Sequence, residues 1–503
     1  MASEHDPALF DAPARAMAAA AFDRTARRGA QHTDFRLSRR DQLDVRVRDG
    51  RLQGSDDSTE LGFGVRVLID GVWGFAAGIE LNAPAAARVA DLACAMARTV
   101  RPLRGSPVEM AAEPTYRDAS WTSAYLIDPL DVPSDERVHQ LQDWSQLLLK
   151  AADVDHVVAR LVVCREDKFY ADAAGTTTTQ RRIWLHPMVT AVRLNCSGGG
   201  FETMRTLGPP VASGWEYLTG TGWDWYGELA AFPELLAEKA AAPSVEPRAY
   251  NLVIDPTNLW LTIHESIGHA TELDRALGYE AGYAGTSFAT TDQLGVLRYG
   301  SPIMNVTADR NTEHGLATIG YDDEGVAAQA WDLVRDGVLV GYQVDRQTAR
   351  LVGLDRSNGC AYADSFAHVP VQRMANVSLA APAGGPNTAE LIGDVSDGIY
   401  IVGDNSWSID MQRHNFQFTG QRFYRIRHGR LVGQLRDVAY QSSTTEFWNC
   451  LQALGGPQTY LLSGASLCGK AQPGQLAPVS HGCPAALFRP IPVLNTAKER
   501  VGG

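Results

Sequence analysis

Apolar residues recur at helical spacing near the start of the chain and then alternate with polar residues in shorter runs. Residues 12–29 are alanine-rich with helical periodicity, and residues 84–100 show the same pattern. Three alternating runs between these helices predict strands: 32–37, 43–47 and 62–69. Asp-Gly pairs at 49–50 and 70–71 suit two-residue hairpin turns. This part of the chain therefore predicts an α+β unit with an antiparallel sheet.

A second alternating region follows a polar, proline-containing passage over residues 101–133. Ser134 begins a helical pattern, and residues 223–241 form another. Four alternating runs between these two helices predict a large antiparallel sheet: 156–166, 169–173, 179–185 and 190–194. The alanine- and proline-containing stretch at 240–244 then predicts a domain boundary.

Short strands and glycine-rich turns dominate the pattern beyond this boundary, with few helical stretches among them. We therefore predict an α+β protein with an N-terminal α+β domain over 1–243, containing the large antiparallel sheet, and a mostly-β domain over 244–503. A further division of the first domain into 1–105 and 134–241 is open. The chemistry-bearing residues lie in the second domain.

Composition and charge narrow the class of protein. A chain of 503 residues with 45% hydrophobic and 20% charged residues is typical of a globular protein. No apolar run approaches the length of a membrane span, and the start of the sequence lacks a signal-peptide pattern, so we expect a cytoplasmic protein without a membrane partner. The net charge of −13 argues against nucleic acid as the main ligand. Seven widely spaced cysteines, an odd number, indicate no disulfide framework.

The stretch His264-Glu265-Ser266-Ile267-Gly268-His269 contains the elements of a hydrolytic zinc site. Neutral imidazoles hold the metal, and a neighbouring glutamate takes a proton from its water. In the familiar H-E-x-x-H motif the histidines lie four residues apart on one helical face. Here they lie five apart, which separates them by roughly 140° around an ideal α-helix. Gly268 would permit a local bend or π-bulge that restores a common face.

Taken alone, the same letters also fit an amphipathic helix with two surface histidines and a solvated glutamate. The preceding sequence favours a buried site, because residues 250–255 form an apolar strand pattern and Pro256 suits the first turn of a helix. Buried ionisable groups need partners, and a metal is a natural one. A zinc site also requires a third ligand, and three residues remain open for it: Cys468, His481 and Cys483.

Several ordered motifs resemble the TldD side of the TldD/PmbA metallopeptidase family. They are His264 to His269, Gly285-Thr286-Ser287, Asp322-Asp323-Glu324-Gly325, Cys468-Gly469-Lys470 with Gly474-Gln475, and, in the N-terminal third, the segments 47–51 and 62–67. The resemblance extends from about residue 34 to about residue 492. One departure is that the Cys-Gly-Lys to Gly-Gln spacing is two residues longer than in the family pattern.

The resemblance implies a function and a set of roles. It makes His264 and His269 ligands of Zn²⁺, Cys468 the third ligand and Glu265 the general base, while Cys483 gains no role. It also implies an enclosed dimer chamber that admits flexible or small peptides. The partner would be a TldE-like paralogue lacking the ligands, in a heterodimer, or a second copy of the chain.

Two other functions remain open, a tailoring hydrolase that cuts an amide in a small peptide-like metabolite and a non-catalytic partner subunit. Loss of the ligand set would mark the latter, and this chain keeps it. The residue that stabilises the oxyanion is not determined by the resemblance. Polar residues that suit the wall of a cleft are His368, Arg373, Asp410, Arg413 and His414. For contact with substrate or oxyanion we select Tyr362, His368, Arg373 and His481.

Overall fold

The computed structural model describes residues 7–103, 105–194 and 200–499 of the chain. Its N-terminal helices are α1 (Ala12–Arg27), α2 (Ala83–Val100), α3 (Ser134–Leu149) and α4 (Trp225–Ala241). The strands of this half are β1 (His32–Arg48), β2 (Arg51–Ile69), β3 (Val72–Gly78), β4 (Ala119–Thr122), β5 (His156–Asp172), β6 (Thr177–Leu194) and β7 (Phe201–Arg205). Within the described ranges, no helix combines the length and the apolar character that crossing a membrane requires.

These strands form one twisted sheet in the order β3-β2-β1-β5-β6-β4, with β7 also paired to β6. Neighbours are antiparallel except β4 and β6. The predicted Asp-Gly turns at 49–50 and 70–71 are confirmed, because both residues of each pair have positive φ. Helices α1 and α2 pack on one part of the sheet, and α3 and α4 enclose a second apolar cluster beside it.

The strands of this sheet are longer than the alternating runs predicted. The runs 32–37 and 43–47 belong to one strand, β1, because the charged residues between them are paired across the sheet. Asp41 accepts hydrogen bonds from Arg165 on β5 at 2.9 Å and from Thr59 on β2 at 2.6 Å. A polar stretch whose charges find partners stays in the sheet instead of ending the strand.

The C-terminal half is built mainly of strands. They are β8 (Arg248–Ile254), β9 (Val306–Asp309), β10 (Ala330–Arg335), β11 (Val338–Leu339), β12 (Ala361–Tyr362), β13 (Val371–Gln372), β14 (Asn376–Leu379), β15 (Asp397–Ile409), β16 (Asn415–Arg427), β17 (Arg430–Leu435), β18 (Val438–Ser443), β19 (Leu451–Leu454), β20 (Leu461–Lys470), β21 (Gln475–Cys483) and β22 (Ala486–Asn495). The helices are α5 (Pro256–Ile263), α6 (Leu273–Ala276), α7 (Arg346–Leu351), α8 (Thr388–Gly393), α9 (Thr444–Asn449) and α10 (Thr496–Glu499).

The principal C-terminal sheet runs β15-β8-β22-β18-β16-β17, and a further pairing of β15 with β16 closes its strands into a ring. Strands β20 and β21 form a separate hairpin, and β14, β9, β10 and β11 form a smaller sheet. The chain is therefore α+β with large antiparallel sheets, as predicted. The division at residues 243 and 244 stays a prediction. The cysteines of the described ranges are free, whereas Cys196 lies outside them.

The Asp322-Asp323-Glu324-Gly325 motif joins the two halves of the molecule. Asp323 accepts a hydrogen bond from Lys168 of β5 at 2.9 Å, and Glu324 accepts one from Arg66 of β2, also at 2.9 Å. All four side chains are buried. Buried ion pairs thus hold the N-terminal sheet against the C-terminal half.

Candidate metal centre

The strand β8 leads directly into the helix that carries the motif. Asp255 caps α5, because its side chain accepts a hydrogen bond from the backbone N–H of Thr257, and Pro256 occupies the first turn. Every residue of α5 is buried. The chain therefore enters the site as a rigid, buried helix, and the surface-helix reading of the motif does not hold.

The five residues His264–Gly268 form a π turn instead of continuing the α-helix. The backbone N–H of His269 donates to the carbonyl of His264, so one turn closes over five residues and brings the two histidines to one face. The predicted π-bulge is confirmed. A Cβ atom at Gly268 would lie only 2.4 Å from Sδ of Met374, so a larger residue there would require this side chain to move.

Three potential metal ligands converge at this turn. One ligand atom from each of His264, His269 and Cys468 lies within 4.8 Å of the others, and all three side chains are buried. The Sγ atom of Cys468, from β20, lies 3.5 Å from Nε2 of His269. Two imidazole nitrogens and one sulfur suit a tetrahedral zinc site with a fourth position open.

A chain of hydrogen bonds assigns the tautomer of His264. Nδ1 of His481 lies 3.0 Å from the carbonyl oxygen of Val377 and must donate to it. Nε2 of His481 is then an acceptor, and Nδ1–H of His264 donates to it over 2.7 Å. Burial lowers the pKa of both imidazoles, which favours neutral rings. This tautomer leaves Nε2 of His264 unprotonated and able to bind a metal.

His269 is fixed by a carboxylate. Its Nδ1 lies 2.8 Å from Oε2 of Glu272, three residues along the chain, so Nε2 is left facing Cys468. Lys470 lies 3.1 Å from the other oxygen of Glu272 and also pairs with Asp274 and Glu280. Burial on its own would raise the pKa of Glu272, but Lys470 and then His269 lower it well below its usual value.

The environment of Cys468 favours its thiolate. Burial on its own would raise the pKa of the thiol, but Arg373 and then His269 reverse this effect, and the pKa lies below its ordinary value. Nη2 of Arg373 also donates to the carbonyl oxygen of Cys468 at 2.6 Å. Metal-binding sulfur is thiolate, so Arg373 favours the form of Cys468 that could hold a metal.

Glu265 forms an ion pair with Arg413 through its Oε2 atom. Arg413 lies in the turn between β15 and β16, and its backbone has φ of 62°. The loop containing Gly285-Thr286-Ser287 holds this turn, because the N–H of Thr286 donates to the carbonyl of Met411 at 3.0 Å. The Gly-Thr-Ser motif thereby helps to position the guanidinium group of Arg413 beside the carboxylate of Glu265.

A cleft of about 340 Å³ contains His264 and Glu265 in its wall. The N-terminal sheet supplies the opposite wall through Arg160, His186 and Arg205, and residues 463–467 of β20 supply another. The side chain of Trp407, which is 56% exposed, stands at the same cleft. Both halves of the molecule therefore build the space next to the ligands.

The other residues selected from the sequence lie in different surroundings. Tyr362 donates its hydroxyl proton to Glu166 at 2.5 Å within the junction of the two halves. Nδ1 of His368 pairs with Asp364 at 2.7 Å, and the described lining of the cleft includes neither Tyr362 nor His368. Cys483 is fully buried beside the carbonyl of Pro256, outside the ligand cluster.

Both ring nitrogens of His481 are occupied by protein partners, so it supports His264 rather than offering a contact to substrate. The sequence pattern did not identify Glu272, although a carboxylate three residues after His269 was a usable signal for a partner of its ring. The sequence analysis included Arg413 among the polar residues of a cleft but did not pair it with Glu265. The two residues are 148 positions apart, and only the fold brings them together.

Comparisons with known proteins identify the family of this chain. The family profile for the PmbA/TldA metallopeptidase C-terminal domain matches residues 247–494, and the profile for domain 1 of the same family matches residues 33–97. A metalloprotease of Methanothermobacter thermautotrophicus is 26% identical over 462 residues, covering 91% of this chain and 94% of that protein. A metalloprotease TldD homolog of Haemophilus influenzae is 26% identical, with coverage of 94% and 95%. A zinc metalloprotease TldD homolog of Saccharolobus solfataricus is 25% identical, with coverage of 50% and 52%.

Solved structures share the fold. TldE from Thermococcus kodakarensis superposes with a TM-score of 0.69 at 14% identity, covering 94% of this chain and 99% of that one. A structure from Thermotoga maritima gives a TM-score of 0.74 at 14% identity, with coverage of 95% and 100%. The matched family profiles and the relatives are named as metallopeptidases or metalloproteases. The chain belongs to the TldD/PmbA metallopeptidase family.

Proposed function

We propose that the protein is a zinc-dependent peptidase that cleaves flexible or small peptides. One observation carries this proposal: the ligand atoms of His264, His269 and Cys468 converge within 4.8 Å, and Glu265 follows His264 directly in the wall of a cleft. The name of the Saccharolobus relative, a zinc metalloprotease, supports the choice of metal. Two imidazoles and a thiolate suit zinc better than magnesium or calcium, which prefer oxygen ligands.

His264, His269 and Cys468 would hold the metal. When bound, zinc supplies Lewis acidity toward a carbonyl and lowers the pKa of water. The hydrogen bond to His481 leaves Nε2 of His264 without a proton, Glu272 holds Nδ1 of His269, and Arg373 favours the thiolate of Cys468. These contacts orient the donor set for metal binding.

Glu265 acts as the general base. Its Oε2 atom is held by Arg413, and we assign Oε1 as the oxygen that accepts a proton from the attacking water. Glu265 then passes this proton to the leaving amine, which needs it to depart as a neutral group. Arg413 orients the carboxylate through the turn that holds it, so that little motion precedes proton transfer.

The substrate is an extended or small peptide, because the cleft lies between the two halves of the molecule and admits no folded domain. A small amide-containing metabolite would fit the same volume of about 340 Å³ and remains the alternative substrate. A non-catalytic role is the weaker alternative, since the complete ligand set is retained. We also propose a dimer, with a TldE-like paralogue or a second copy enclosing the cleft.

The test is incubation of the purified protein with a peptide library, followed by mass spectrometry, with and without a TldE-like partner. We expect the natural protein to cleave peptides. Glu265→Gln should reduce the rate of cleavage by roughly 10²- to 10⁴-fold and leave the metal content unchanged. Glu313→Gln is the matched control, because its side chain is 82% exposed. Activity of Glu265→Gln within a few-fold of the natural protein would exclude Glu265 from the mechanism.

Metal analysis tests the centre itself. We expect about one zinc per chain, as three protein ligands and one open position imply. The double variant His269→Ala, Cys468→Ser removes two of the three ligands and should lose the metal. Full retention of zinc by that variant would refute the assignment.

Light scattering tests the dimer, with the protein alone and co-expressed with a candidate partner. An obligate interface buries more than roughly 2,000 Å² and forms a monodisperse complex. A monodisperse monomer that cleaves peptides at full rate without a partner would refute this part of the proposal.

A further inference from the structure

A second, apolar pocket lies next to the cleft that contains the candidate metal centre. Its volume is about 480 Å³, and aliphatic and aromatic side chains form most of its lining, among them Leu126, Trp223, Leu461 and Leu462. The side chain of Leu126 is 79% exposed at its rim. Concave pockets lined mostly by apolar side chains are typical of ligand sites.

The walls of this pocket, hereafter the distal pocket, are held in place by hydrogen bonds. The carboxylate of Glu216 accepts the backbone N–H of Leu126 at 3.0 Å and that of Ile127 at 3.1 Å. The hydroxyl of Tyr217 donates to the carbonyl of Pro209 at 2.8 Å. The distal pocket is therefore preformed and does not depend on a ligand for its shape.

One strand connects the candidate metal centre, the cleft and the distal pocket. Along β20, Cys468 is a candidate ligand, residues 463–467 line the cleft, and residues 461–462 line the distal pocket. Pro209 belongs to both walls. The cleft and the distal pocket are therefore neighbours along β20.

We propose that the distal pocket is a substrate subsite for a large apolar side chain, aliphatic or aromatic, remote from the bond that is cut. This inference rests on the proposed peptidase function. Cys468 lies six positions after Leu462, which is at most about 20 Å at roughly 3.3 Å per strand residue, because β20 has a register shift between Ala465 and Cys468. An extended peptide has nearly the same rise, so the apolar residue lies roughly five to seven positions from the cleaved amide.

The experiment uses equal-length peptides rich in glycine and serine, each with one phenylalanine at a different distance from the cleaved bond. Burying such a side chain favours binding by roughly ten- to hundred-fold. We expect cleavage efficiency to rise by that factor when phenylalanine lies five to seven positions away, on one side of the bond. Fluorescein-labelled versions of the same peptides measure binding to the Glu265→Gln variant by anisotropy.

Two variants test the location. Leu126→Asp and Leu461→Glu each place a charge in the distal pocket and should abolish the preference for phenylalanine. Leu103→Asp is the matched control, because Leu103 is 84% exposed and outside the distal pocket, and it should keep the preference. Thermal unfolding of each variant verifies the fold, and Leu126→Asp alters an exposed residue.

The outcomes separate this inference from the proposed function. Cleavage without a preference at any distance, or a preference kept by both pocket variants, overturns the subsite and leaves the peptidase standing. If the pocket variants lose dimerisation but keep the preference for phenylalanine, the distal pocket binds a partner subunit. That result also overturns the subsite. Binding with the preference but no cleavage supports the subsite and refutes the peptidase.

Discussion

Replacement of His481 by phenylalanine tests how the protein prepares His264 for a metal. The ring volume is nearly kept, and so is the stacking on Trp260, whose ring lies 6.3 Å away with an interplanar angle of 11°. The hydrogen bond of 2.7 Å between Nδ1 of His264 and Nε2 of His481 is removed. We expect the variant to fold and to bind zinc more weakly.

The expected loss of zinc affinity depends on whether the Nδ1–H group of His264 keeps a hydrogen-bond acceptor. Both rings are buried, His481 completely, so solvent does not replace the lost acceptor. An unpaired buried donor costs about 1–3 kcal/mol, which corresponds to roughly 5- to 150-fold in affinity. Without zinc the ring can avoid this cost by carrying its proton on Nε2, but metal binding requires a free Nε2 and brings the cost back. Zinc binding is therefore weakened by up to this factor.

The assay is competition for zinc between each protein and a chelator of known affinity. His481→Gln should recover part of the loss, because its amide oxygen can accept from His264 and its NH₂ group can donate to Val377. His368→Phe is the matched control, since this histidine pairs with Asp364 outside the described lining of the cleft. Zinc affinity of a folded His481→Phe variant equal to that of the natural protein would refute the reasoning.

Two further predictions concern charges held by the fold. Arg413→Ala should lower kcat while metal content stays unchanged, because Glu265 loses the partner that orients it. Steady-state kinetics and metal analysis measure these two quantities. An unchanged kcat would contradict the assignment of Arg413. Asp323→Ala should destabilise the protein by about 3–5 kcal/mol in urea unfolding, because it leaves buried cations unpaired. Asp355→Ala is the control, because Asp355 is fully exposed, and it should change the free energy of unfolding by less than about 0.5 kcal/mol. Equal effects of the two variants would show that the buried ion pairs do not stabilise the junction of the two halves.

Features that depend on neighbouring residues could be predicted from the sequence. The Asp-Gly turns at 49–50 and 70–71 need only two residues with positive φ, and the structure has both. The π turn followed from the five-residue spacing of His264 and His269 with Gly268 between them. Local geometry is encoded locally, because the atoms that decide it are a few bonds apart.

Strand length was predicted less well, for a physical reason. The charged centre of β1 looked like an interruption, whereas Asp41 is paired with Arg165 across the sheet. Alternation of apolar and polar residues reports burial against a core, but a strand also persists where charges find partners. Arg165 lies 124 positions from Asp41 in the sequence, and the pair is visible only in the sheet.

The sequence by itself determined the fold class, the His-Glu-His segment and, through family resemblance, the choice of Cys468. Only the tertiary structure decided what surrounds them. His481 lies 217 residues from His264 and fixes its tautomer, and Arg413 holds Glu265 from a distant turn. Hydrogen bonds and ion pairs act over about 3 Å in space whatever the sequence separation. The candidate ligands could therefore be proposed from a motif and a family resemblance, whereas the residues that orient them required the fold.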